Sequence, residues 1–282
     1  VIAVIVNFCI NYILIFGHFG FPKLGVIGAA IGTVVSRIVE MGINIAAGLN
    51  NNYLRDAMHL DKISGDIFKN VVKRGMPLLC NEILWSISIA LISQCYSTRG
   101  LSAVAAINVT TTVTNFFMII CYAMGNSISI IVGQRLGAGE IEYAKDCDLK
   151  MVFMNFMMCL CIGVALFLCS SFIPQIYNTS IEVKSLATSL LRVSACMLPI
   201  ISLYYSSYFT MRAGGKTLLT FFFDSGYTFM FTFMVALCLT RFTNLPIFNV
   251  YLLVQCVDIP KAVLGITLVK KGIWVHNIVN EL

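Results

Sequence analysis

Charge is the scarcest property of this sequence. Asp, Glu, Lys and Arg make up 11% of its 282 residues, and hydrophobic types make up 59%. A soluble domain carries roughly 25% charged residues. A water-facing surface over most of the chain is therefore excluded, and the surplus apolar surface must face lipid. Histidine is nearly as scarce. His18 falls in a turn, His59 in a polar stretch and His276 near the end, so none can serve a proton relay deep in a span. CxxC pairs and Cys/His metal spacings are missing. The 11 cysteines lie mostly inside apolar runs, where they read as small apolar packers rather than disulfide or zinc ligands. No GxSxG, HExxH or Walker-type motif occurs, so no catalytic set or bound cofactor is expected. The net charge of +6 is spread over short loops rather than one stripe, which argues against nucleic acid as a partner.

What is present is a series of long apolar runs. They predict helices at about 1–16, 25–49, 75–96, 102–133, 149–173, 186–211, 217–240 and 247–269. A span must satisfy its own backbone hydrogen bonds, which selects helices, and runs such as 149–169 lack the alternation of a barrel strand. The expectation is an all-α polytopic bundle of seven whole transmembrane helices and one partial. The partial helix opens on Val1 with no basic leader and ends near Phe16, short of the roughly 20 residues of a span. Earlier helices are expected to precede it.

Alternate loops differ in charge. Loops 50–74, 134–150, 212–216 and the tail hold twelve basic residues, whereas the intervening loops hold Lys23, Arg99, Lys184 and Arg241. By the positive-inside rule the basic loops and the C-terminus are cytoplasmic, in a plasma or inner membrane. Segment 50–74, polar and mixed in charge, reads as a linker between two bundles or as an ordinary cytoplasmic loop. The expected division is 1–49, linker 50–74, bundle 75–271 and tail 272–282.

A charge at membrane depth costs a few kcal/mol and usually has a partner or a task. Glu82, with Asn81 beside it and Ser86 and Ser93 on the same face, either binds a cation in a wet cavity or snorkels and pairs with Lys73 or Arg74. Asn108, Thr111, Thr112 and Asn115 form a polar stripe that Tyr122 and Asn126 extend, and it either lines a cavity or joins helices. Asp224, with Thr220, Thr228 and Thr232 at helical spacing, is either an ion or substrate ligand or the partner of Arg212 or Lys216. Tyr205 with Ser202 and Ser206 offers an aromatic wall to a cation. Arg37 with Glu40, and Asp258 with Lys261, stand three apart and read as local structural pairs.

Three stretches carry a resemblance. The first is Asn11-Tyr12-Ile13-Leu14-Ile15-Phe16-Gly17, followed by Phe19-Gly20-Phe21-Pro22-Lys23-Leu24-Gly25 and a small-residue run containing Gly28 and Gly32. The second is Gly133-Gln134-Arg135-Leu136-Gly137-Ala138-Gly139. The third is Arg212-Ala213-Gly214-Gly215-Lys216. Together they resemble the multidrug and toxic compound extrusion (MATE) transporters. The resemblance implies the end of an N-terminal lobe and a complete C-terminal six-helix lobe. It further implies a monomer that rocks between inward- and outward-open states. H⁺ or Na⁺ would be exchanged for small, often cationic organic compounds. Members place a Glu on the seventh helix and an Asp on the tenth. Glu82 matches the first, whereas helix 186–211 has no Asp, so Asp224 on the next helix is the substitute. Rival readings are a lipid-linked oligosaccharide flippase of the same superfamily, a membrane-embedded enzyme, and a receptor.

Overall fold

A computed structural model describes residues 2–49 and 65–275. Every long element among them is a helix: α1 Ile2–Phe16, α2 Val26–Leu49, α3 Gly65–Ser97, α4 Leu101–Gly137, α5 Ile141–Cys169, α6 Ile181–Ala213, α7 Thr217–Phe242, α8 Ile247–Cys256 and α9 Asp258–Lys270. Seven stretches are long and apolar enough to cross a membrane, with α8 and α9 together forming one of them. The chain is a multi-pass membrane protein. Residues 50–64 of the expected linker and 276–282 of the expected tail lie outside the described residues, while 65–74 already belong to α3. Two compact units divide between Phe68 and Lys69.

In the first unit α1 and α2 form a helical hairpin. Gly17 and Gly20 take positive φ in the turn, and Pro22 follows. A β-carbon on Gly28 would stand 2.8 Å from the Leu14 backbone, so the two glycines Gly28 and Gly32 set how closely the helices approach. The Asn7 amide donates to Ser36 Oγ across the same seam at 3.3 Å. Arg37 and Glu40 pair at 2.6 Å, as their spacing predicts.

In the second unit α6 is the central pillar. Its most apolar stretch is 61% buried, against 17–33% for the other spans, so the remaining helices pack around it. Pro199 lies inside α6 and has no amide, which leaves the Ala195 carbonyl without its helical donor. Helix α5 presents Gly163 there, and a β-carbon on Gly163 would stand 2.6 Å from that carbonyl oxygen. Asn155 of α5 is fully buried and ties three helices together. Its amide donates to Ser206 Oγ at 2.8 Å and faces Cys121 Sγ, while the Cys159 thiol donates to its carbonyl. The Gly125-Asn126-Ser127 stretch does not loosen α4, which runs unbroken. A β-carbon on Gly125 would stand 2.3 Å from the Phe209 ring, so Gly125 admits that ring. At one end of the bundle Gly139 takes φ +80° to turn the chain out of α4; Gly133 and Gly137 stay within the helix. Trp274 is fully buried near the α6–α7 turn, where its carbonyl closes on Gly214.

Candidate functional site

Six helices of the second unit surround a cavity of about 390 Å³. Helix α3 contributes Trp85 and Ser93, α4 contributes Asn108, Thr111, Asn115 and Tyr122, and α6 contributes Tyr204 and Tyr205. Asp224, Thr228 and Thr232 come from α7, Tyr251 and Gln255 from α8, and Asp258 and Lys261 from α9. The walls are aromatic and the polar groups converge, which is the usual make-up of a small-molecule site.

Local backbone departures place the charged groups. Helix α7 widens from α to π geometry over Phe222–Gly226 and again over Thr228–Phe233. Such wide turns concentrate at functional sites. Asp224, Thr228 and Thr232, spaced four apart, share one face of this stretch and all reach the cavity. Pro260 removes the amide that would bond the Cys256 carbonyl, and the helical run is interrupted at Val257. Tyr227 bridges the interruption by donating its hydroxyl to the Val257 carbonyl at 2.9 Å. Asp258 and Lys261 follow at the head of α9.

Lys261 is 3% exposed and donates to Asp224 Oδ1 at 3.0 Å and to Thr228 Oγ1 at 3.2 Å. Its ammonium also lies 4.6 Å from the centre of the Tyr204 ring. Asn81 holds the far side of Asp224 by donating to Oδ2 at 3.2 Å, and its own carbonyl accepts the Ser225 amide. Asp224 is thus fixed from both sides. Asp258 has no ion-pair or hydrogen-bond partner among the described residues. The local Asp258–Lys261 pair expected from spacing does not form. Lys261 reaches across to α7 instead, because its ammonium finds a carboxylate, a hydroxyl and an aromatic face together there. Asp224 in turn pairs with neither Arg212 nor Lys216.

The stripe on α4 divides. Asn108, Thr111, Asn115 and Tyr122 line the cavity, whereas the Thr112 hydroxyl turns back to the Asn108 carbonyl and Asn126 to that of Tyr122. Tyr122 and Tyr205 meet edge to face with their hydroxyls 3.3 Å apart. Ser202 and Ser206 are buried behind this wall. Glu82 stands apart from the cavity-lining residues. It is 59% exposed, accepts a hydrogen bond from Tyr208 at 3.3 Å, and lies 4.0 Å from Arg212. Lys261 and Asp258, whose spacing suggests only a local pair, both line the cavity. Both are ionisable groups inside an apolar helix, and that signal outweighed their short spacing.

The MatE family model matches residues 77–224, about half of the chain. Among curated relatives, the probable multidrug resistance protein YoeA of Bacillus subtilis is 25% identical over 228 residues, covering 77% of this chain and 48% of its own length. The multidrug resistance protein MdtK of Edwardsiella ictaluri is 23% identical, covering 69% of this chain and 43% of its own. The chain therefore spans about half the length of the curated relatives it matches. Among solved structures, an outward-facing multidrug resistance MATE transporter superposes with TM-score 0.81 at 18% identity, over 96% of this chain and 61% of that one. An inward-facing structure gives 0.71 at 17% identity, over 96% and 63%.

Proposed function

The chain belongs to the MatE family, and from that premise we propose that the protein exports small organic compounds, cations among them, in exchange for H⁺ or Na⁺. The observation that carries this reading is the cavity: aromatic on Trp85, Tyr204 and Tyr205, and acid-rich through Asp224 and Asp258 against Lys261 alone. An aromatic, net-negative site of this size suits a lipophilic cation. Export against a gradient needs two lobe arrangements that differ in affinity for drug and for ion. We assign the drug to the cavity. The ion goes to an acidic group, with Glu82 as the candidate outside the cavity. There Tyr208 and Arg212 already give its carboxylate a switchable set of partners. The membrane is the plasma or inner membrane, and the basic loops face the cytoplasm.

A lipid-linked oligosaccharide flippase is a weaker alternative, because a phosphate would meet two carboxylates and one ammonium in this cavity. The test is ethidium efflux from cells expressing the protein. Asp258→Asn should slow efflux sharply at unchanged membrane level. Wild-type efflux by both Asp258→Asn and Asp224→Asn would remove the cavity from the mechanism.

A further inference from the structure

Among the residues lining the cavity, Lys261 is the one basic side chain. Its ammonium is engaged by Asp224 and Thr228 and faces Tyr204, so it occupies the position on Asp224 that a free cation would take. Asp258, one turn back on the same helix, is the carboxylate left open to the cavity. Two carboxylates and one ammonium leave a single net negative charge.

We propose that Lys261 is a tethered cation that sets the charge selectivity of the site: it closes Asp224 and leaves Asp258 to receive one singly charged organic cation. The proposal rests on reading this cavity as the substrate site. Burying an uncompensated charge is costly, so occupancy should follow the charge sum. A monocation at Asp258 brings the sum to zero. Na⁺ finds no vacant pair of carboxylates, because the lysine already fills one. The lysine stem reaches no farther than its neighbourhood. If Asp224 is neutralised, the nearest carboxylate for the ammonium is Asp258, three residues away on the same face. Loss of Asp224 should therefore close the site that Asp258 provides.

The experiment measures tetraphenylphosphonium binding to the purified protein, with and without Na⁺. Asp258→Asn should weaken binding at least about tenfold, equivalent to roughly 1.4 kcal/mol. Asp224→Asn should weaken it comparably although Asp258 is intact, because Lys261 is released onto Asp258. The double variant Asp224→Asn/Lys261→Met returns the net charge to its original value. It should recover binding to within about threefold of wild type. Lys261→Met alone should acquire competition by Na⁺ that the wild type lacks. Where that variant fails to fold, the double variant still decides, since removing both members of a buried pair is far better tolerated than removing one. Wild-type affinity in Asp224→Asn, or a folded double variant as weak as Asp224→Asn, overturns the proposal. Wild-type affinity in Asp258→Asn instead overturns the assignment of the cavity as the substrate site. Weak binding in Asp258→Asn, with the other variants ignoring the charge sum, overturns only the role of Lys261.

Discussion

Replacing Gly163 with Ala probes how α5 meets α6 without touching the cavity. The added β-carbon would stand 2.6 Å from the Ala195 carbonyl oxygen and 3.7 Å from Leu198 Cβ. A carbon and a carbonyl oxygen normally rest about 3.3–3.6 Å apart, so one backbone must retreat by roughly 0.7 Å or more. The obstacle is main chain on one side and main chain on the other, and no flexible side chain can absorb the shift. Overpacking of this kind costs about 1–3 kcal/mol. At roughly 2–4 °C per kcal/mol for a chain approaching this length, the apparent Tm should fall by about 2–12 °C. The measurement is thermal unfolding of purified protein in detergent. Pro199→Ala supplies the missing amide and draws the Ala195 carbonyl back toward its own helix. The double variant Gly163→Ala/Pro199→Ala should therefore lose less than the two single losses added together. A Gly163→Ala protein within 1 °C of wild type, taking ~1 °C as well under 1 kcal/mol, would refute the account of close approach.

Three further outcomes are expected. Glu82→Gln should abolish export at unchanged membrane level if the coupling ion binds there, and normal export by that variant excludes Glu82 from coupling. Asn155→Leu should cost about 0.6–1.7 kcal/mol, the range for side-chain hydrogen bonds between membrane helices, read by the same thermal assay. In a cysteine-free background, a cysteine at position 178 should be labelled from outside intact cells and one at position 215 only after permeabilisation. Labelling of both from one side would break the alternation of loops.

The helices were legible because their apolar runs are long and separated by charge. Their ends were less so. Helix α5 begins at Ile141, ahead of the apolar run expected from 149. The extra turns are polar but carry intrahelical pairs, Lys145 with Glu142 at 2.8 Å and Lys150 with Asp146 at 2.6 Å. Such pairs extend a helix past its greasy stretch. Of the candidate ligands, Asn108, Asn115, Tyr205 and Asp224 line the cavity, and Asn81 braces Asp224. The partner of Lys261 was not legible, because spacing along one helix carries no information about a carboxylate on another. The π turns of α7 were hidden for a related reason: a threonine every four residues fits either winding.

Those wide turns have a consequence for α7. Each winds one residue more than a regular ladder requires, so the helix carries surplus length between Phe222 and Phe233. Tightening one turn would push that surplus along the chain and swivel every side chain beyond it. The aim of the acid toward its lysine is thus set by where the slack is stored. Deleting a single residue within this stretch should be absorbed by tightening one wide turn, whereas deleting one from the regular stretch Met234–Phe242 should rotate the helix face beyond it.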